Sequence, residues 1–391
     1  MSQPLTRNAV LTAVVMGSIM FLFWLVLPTV LGALADDFQF QEDQLGLIAS
    51  IYSLGIFAVT LSSAFIRLST DLQHQVILGA AFTIAGFTCL PLADSLTFIL
   101  ISVALASVGL GLAYAVVMTV LGASQSPTRY YAWLFFLQVI LGIAGNSWLG
   151  QLSDSRQLVD AASGVMIVIG AVSIGLARQL PRSLAQSESV IDKRMHDPQI
   201  RRIPLPVLLA LASILLVFTG DAGIWVFLER FGQHHGNAFG SHLVSINLFA
   251  GALGSLSAAW LNERLGYLVP MLIAIGLSIL SAVIFSQFRS DIALLTASFI
   301  NGWSWNFGAA YRMGLVSKLD PLGRKAALIP AMQTLGNTLG PLLLGWIIVV
   351  GSYNDALIVA SLLWGMAMIS FGLAWQSHFS PRKTHHAQRS I

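Results

Sequence analysis

The sequence predicts an all-α integral membrane protein, with twelve spanning helices in two pseudo-symmetric six-helix bundles. Three observations predict it. Of 391 residues, 56% are hydrophobic and 9% charged, whereas a soluble domain carries about 25% charged residues. Apolar runs long enough to cross a bilayer, about 20 residues for roughly 30 Å of hydrocarbon, fill most of the chain. One long polar interruption, LPRSLAQSESVIDKRMHDPQIRRIP at 180–204, falls at mid-chain and divides it into similar halves.

Taken in order, turn and charge punctuation places the first six helices at 9–34, 44–66, 73–92, 96–121, 130–151 and 159–179. The first is too long for the roughly 7–15-residue core of a cleavable signal, so it is expected to be a span. The acidic stretch ADDFQFQEDQ separates it from the second. After the linker the remaining six fall at 205–230, 239–261, 267–286, 291–316, 324–349 and 355–376. The domains are thus an N-terminal bundle over 1–179, a linker over 180–204, and a C-terminal bundle with a short tail over 205–391. The lone cysteine, Cys89, rules out an internal disulfide.

An even number of spans puts both termini on one side. Of the twenty Lys and Arg residues, Arg156, Arg230 and Arg289 fall on the opposite side and Arg312 within a span, leaving sixteen with the termini. Cytoplasmic loops carry such an excess. Both termini are therefore expected in the cytoplasm of a bacterial inner membrane. The basic residues, dispersed among short loops, read as topology signals and not as a nucleic-acid surface, although the pI is near 9.2.

The halves carry matching marks. Helix five reads Gly145-Asn146-Ser147-Trp148-Leu149-Gly150, and helix eleven reads Gly336-Asn337-Thr338-Leu339-Gly340-Pro341, then Gly345. Gly145 and Gly340 are 195 residues apart, as are Arg129 and Arg324 in the loops before them. Two coincidences in register argue for a duplicated unit.

Trp260-Leu261-Asn262-Glu263-Arg264-Leu265-Gly266-Tyr267 resembles the loop motif of the major facilitator superfamily, and the resemblance covers essentially the whole chain. The corresponding first-half loop keeps Arg67 and Asp71 without the glycines. The resemblance implies a conformational latch at Glu263 and Arg264, and a central cavity lined by helices one, four, seven and ten. The Gly336–Gly340–Pro341–Gly345 run resembles the family's antiporter motif. That motif belongs in helix five, where this chain has Asn146, so close helix packing is the preferred reading.

Polar residues at mid-membrane depth are rare and usually face a cavity or a partner. In helix seven, Phe218, Asp221, Trp225 and Glu229 share one face, and Asp221 is the deepest carboxylate of the chain. It reads as a substrate-binding and proton-coupling residue, with a structural ion pair to Arg312 as the other reading. Glu229 and Arg230 fall near the outer interface, where pairing with loop groups is easy.

Helix ten carries NGWSWNFGAAYR at 301–312. Asn301, Trp305, Gly308 and Arg312 lie on one face, flanked by Trp303 and Asn306. Buried amides need partners, and both tryptophans lie too deep for an interfacial belt. For Arg312, four residues from the cytoplasmic loop, snorkelling would suffice as an explanation. Trp24 of helix one and Tyr114 of helix four complete the expected substrate-binding set. Such stripes are more often packing.

There is no GxSxG, HExxH, Walker A or metal-spaced cysteine pattern. No enzyme, cofactor or metal is expected, and His234, His235 and His242 read as a solvated loop. The expected function is secondary active transport of a small organic solute by alternating access, coupled to protons, with export of an amphipathic, aromatic or cationic compound as one form. No cluster of central arginines points to phosphorylated substrates. The expected partners are substrate, proton and membrane lipid, with the chain acting as a monomer. A non-transporting receptor or assembly factor on the same scaffold is the alternative.

Overall fold

A computed structural model of the chain describes residues 6–65, 71–122, 124, 127–183, 203–234, 240–261, 264–319 and 328–379. Most of the linker, Glu263, and the loop with Arg324 lie outside the described residues. Those described form twelve long helices and no strand. In the N-terminal half these are α1 (Arg7–Phe38), α2 (Glu42–Phe65), α3 (Leu72–Cys89), α4 (Leu96–Gly122), α5 (Pro127–Leu149) and α6 (Ser155–Ala177). In the C-terminal half they are α7 (Leu205–His234), α8 (Gly240–Leu261), α9 (Leu268–Gln287), α10 (Asp291–Leu319), α11 (Ile329–Val350) and α12 (Tyr353–Phe379).

Side-chain caps explain where several helices start relative to their apolar runs. Thr6 accepts from Ala9 N to open α1. Asp71 accepts from Gln73 N and His74 N to open α3. Asp154 accepts from Gln157 N, so α6 begins four residues before the expected position. Each cap satisfies amide hydrogens that the first turn leaves free. The helix α1 is two stretches, Arg7–Met20 and Leu22–Phe38, joined at Phe21, with Pro28 inside the second.

Ten of the twelve helices are long and apolar enough to cross a membrane. In α5 the apolar stretch Trp133–Leu149 is shorter than such a span. The centre of α10 is too polar, owing to the run Asn301–Asn306. The outward faces are apolar: Ile358, Leu362, Met366 and Ile369 make an exposed stripe along α12. Such a surface suits lipid and not water, and the protein is a multi-pass integral membrane protein.

Within the N-terminal half, α4 packs on α2 and α3, and α6 on α3. Within the C-terminal half, α10 packs on α8 and α9, and α7 on α11 and α12. The halves meet through α2 with α11, α5 with α8, and α1 with α7. Glycine sets the first contact: a Cβ on Gly46 would collide with the Pro341 carbonyl oxygen, and one on Gly345 with that of Glu42. Backbone therefore meets backbone there. Gly336 and Gly340 pack in the same way on Phe218 and Thr219 of α7.

These cross-half contacts gather toward one end of the bundle. There Arg230 of α7 reaches Asp36 of α1 at 3.5 Å and Glu42 of α2 at 3.4 Å. Tyr353 of α12 donates its hydroxyl to the same Glu42 at 2.6 Å. Leu248 of α8 packs against Gly142 of α5, which also meets Leu25 of α1 nearer the middle of the molecule.

Candidate functional site

The centre of the molecule is organised by a proline. Pro28 has no amide hydrogen, so the carbonyl of Trp24, one turn earlier, lacks its helical donor. The indole Nε1 of Trp225 fills that role from α7, donating to Trp24 O at 3.3 Å across the two halves. Trp24 and Trp225 are 5% and 2% exposed.

Aromatic rings extend from this bond in both directions. On the N-terminal side the Tyr114 ring stacks on Phe21 at 5.8 Å, Phe21 lies 6.5 Å from Trp24, and Trp24 stacks on Tyr52 at 6.3 Å. On the C-terminal side Trp305 lies edge-on to both Trp225, at 6.4 Å, and Phe218, at 6.0 Å. Tyr114, Phe21 and Trp305 are half-buried, whereas the two residues of the bridging bond are buried. The seam is thus an aromatic arch whose apex is closed and whose feet are open. Such rings favour planar or cationic partners.

Asp221 lies one turn from both Phe218 and Trp225 on α7. It is fully buried, and neither carboxylate oxygen has a hydrogen-bond partner in the protein. Trp364 of α12 lies over the neighbouring Gly220, where a Cβ would come within 2.7 Å of its Nε1. That indole N–H, beside the carboxyl, is itself without a partner.

The charged group facing Asp221 is Arg312, 2% exposed, near enough to attract it yet forming no ion pair with it. Its guanidinium folds back along α10: Nη2 donates to Trp305 O at 3.1 Å and Nη1 to Met271 Sδ at 3.8 Å, while Nε finds no acceptor. The expectation that snorkelling accounts for Arg312 is therefore corrected. The side chain runs away from the nearer helix end, toward the middle of the span. Two buried charges that sense each other without contact are costly for a structural ion pair. Such an arrangement suits a group that takes up a proton or a ligand.

The remaining residues singled out in α10 divide between neighbours. Asn301 Oδ1 accepts from Asn247 Nδ2 of α8 at 3.1 Å, and the same Nδ2 donates to Ser298 O. Trp303 donates to Ser257 Oγ of α8 at 3.3 Å and stacks on Phe307. Asn306 donates to Gly302 O of its own helix and packs on Gly251 of α8. Trp305 and Arg312 thus join Asp221, Trp225 and Trp24, whereas Asn301, Trp303 and Asn306 tie α10 to α8. Ser304 adds a bond to Ser278 of α9.

Arg264 is exposed and lies over the Trp260 ring at 5.8 Å; its expected latch partner Glu263 is outside the described residues. Among the described residues no group of His, Cys, Asp or Glu is arranged for a metal, and His234 packs on the Tyr353 ring. Sequence reasoning passed over Trp364, Tyr52 and Phe21. Trp364 sits mid-helix beside Gly365 in an otherwise apolar α12, and that depth is the signal that could have found it.

No protein-family model matches the chain, and no curated protein matches it. Solved structures do. The nucleoside transporter NupG is 14% identical, with a TM-score of 0.72 over 95% of this chain and 100% of that one. A bacterial homologue of the human lysosomal transporter Spinster, in an inward-facing and unoccupied conformation, is 14% identical, with a TM-score of 0.68 over 96% of this chain and 98% of that one. The same homologue in an inward-facing and occupied conformation scores 0.64 at 15% identity over 96% of this chain. The chain has the fold of the major facilitator superfamily.

Proposed function

We propose that the protein is a proton-coupled secondary transporter that moves a small planar organic solute across the cytoplasmic membrane by alternating access. The observation that carries this reading is Asp221. It is a fully buried carboxylate without a hydrogen-bond partner, placed beside an aromatic arch whose two sides belong to different halves. Such a carboxylate binds a proton or a cationic group, and the rings select for flat solutes. One structural neighbour is a nucleoside transporter and the other a homologue of a lysosomal transporter, which is compatible with a planar, hydrogen-bonding substrate. An aromatic cation meets the same chemistry.

The excess of basic residues on the side of the termini supports an orientation with Asp36, Glu42, Arg230 and Tyr353 facing outward. The arrangement closed at that end then corresponds to an inward-facing state. One solved neighbour was captured inward-facing.

The test is uptake into proteoliposomes carrying a pH gradient, run on a panel of nucleosides and aromatic cations. Wild type is expected to accumulate at least one of them against its gradient. Asp221→Asn is expected to lose accumulation while keeping solute exchange. Accumulation undiminished in Asp221→Asn would remove the assigned role. Binding without flux by any compound would favour the receptor alternative.

A further inference from the structure

Glu229 lies two turns beyond Asp221 on the same face of α7 and packs over Gly32 of α1, where a Cβ would fall 3.2 Å from its Oε1. Gln233, one turn on, brings Nε2 to the same place. The other oxygen, Oε2, is buried and has no partner. Beside the carboxyl is the hydroxyl of Thr29 on α1.

Counting protons decides what this hydroxyl can offer. Asn146 of α5 is fully buried, and its Nδ2 donates to Leu25 O and Gly142 O, both at 2.8 Å. Two carbonyls accept only from an NH2 group, so the amide orientation is fixed and Oδ1 must face Thr29. Thr29 donates its single proton there, at 2.9 Å. Toward Glu229 the Thr29 oxygen is left with lone pairs alone. An ionised Glu229 would set acceptor against acceptor, or would take the Thr29 proton and strand Asn146 Oδ1. A protonated one can donate to the free lone pairs of Thr29 and so extend the chain Thr29–Asn146–Leu25 without displacing a bond.

We propose that Glu229 is a second proton-binding site: its protonated carboxyl donates to Thr29 Oγ when this end of the molecule is closed, and releases that proton to the adjoining water when α7 parts from α1 and α5. The proton is then itself part of the bond between the halves. The charged groups around it are Arg230 on its own helix and Asp36 on α1, with Glu42 of α2 reaching Arg230 and Tyr353 of α12 donating to Glu42. Adjacent positions on a helix do not face each other, and Arg230 directs Nη1 and Nη2 to Asp36, Gln233 and Glu42. His234 packs on Tyr353, while His242 of α8, Asp291 of α10 and Asp355 of α12 are exposed. The inference uses the alternating-access reading only in that the halves separate here; it does not depend on Asp221 or on the substrate.

The test needs no substrate. On a Cys89→Ala background, Leu248→Cys places a thiol between α5 and α8 beside Gly142, one turn from Asn146, and a membrane-impermeant maleimide reports its exposure in intact vesicles. Labelling is expected to be slower at acid than at alkaline pH by roughly tenfold, a usual size for coupled sites. Glu229→Gln, which retains a donor, is expected to label slowly at both pH values. Thr29→Val is expected to label fast at both, and Thr29→Ser to behave as the parent. Each variant is checked for a monodisperse elution profile. A pH step that is absent from the parent, or that persists in Glu229→Gln, overturns the proposal. So does a step that is lost in Asp221→Asn but kept in Glu229→Gln, which would leave the transport reading standing.

Discussion

The indole N–H of Trp225 donates to the backbone carbonyl of Trp24, an oxygen that Pro28 has deprived of its helical donor. A defect in one half is thus repaired by a side chain from the other. Trp225→Phe keeps the ring and removes the donor. It is expected to cost about 1 kcal/mol, read as a lower thermal midpoint in detergent. Pro28→Ala restores the helical amide to Trp24 O, so the cost of Trp225→Phe should largely vanish in that background. A double-mutant cycle showing full additivity would remove the coupling.

Asp221 and Arg312 are both buried and oppositely charged, and they stand apart. Removing either charge leaves the other uncompensated. Arg312→Gln is therefore expected to destabilise the protein by about 3 kcal/mol or more. Adding Asp221→Asn should recover part of that loss. A double variant less stable than Arg312→Gln alone would show that the two charges do not compensate each other.

Gly46 and Gly276 make a matched pair. A Cβ at Gly46 meets the Pro341 carbonyl oxygen, whereas one at Gly276 meets nothing within 4 Å. Gly46→Ala is expected to push α2 from α11, lower the thermal midpoint and speed labelling of Leu248→Cys. Gly276→Ala should be neutral, or stabilising by up to about 1 kcal/mol from helix propensity. Equal effects at the two sites would argue against a backbone contact at Gly46.

The division of α10 makes a further contrast. Asn247→Ala strands the Asn301 carbonyl and is expected to cost about 1–3 kcal/mol of stability, while leaving solute preference in a transport panel unchanged. Trp305→Ala removes a ring from the arch and is expected to change that preference, with roughly a tenfold loss for aromatic cations. A preference shifted by Asn247→Ala but not by Trp305→Ala would reverse the roles.

The spans were legible because bilayer thickness imposes a run length that little else in a sequence mimics. Asp221 stood out for the same reason, as a carboxylate many residues from either end of its run. The neighbours of α10 did not stand out. A helical wheel places Asn301, Trp305 and Arg312 on one face, but α7 and α8 both abut α10, and sharing a face does not decide which neighbour each residue meets. The direction of Arg312 depends on a rotamer, and no periodicity announces one. Trp364 reaches Asp221 only through the packing of α12 on α7. The acidic stretch ADDFQFQEDQ read only as a separator of the first two helices, yet its Asp36 and Glu42 reach Arg230.

The guanidinium that folds back toward Trp305 also has an electrical consequence. With Asp221 ionised, the two buried groups sum to zero charge; with a proton on Asp221, the interior holds one net positive charge. A membrane potential acts only on the second form, with about 2.3 kcal/mol per elementary charge per 100 mV. A neutral solute travelling with the proton would move as a cation, driven toward the negative side, while the empty carrier would return indifferent to voltage. Arg312 thus makes proton binding visible as current.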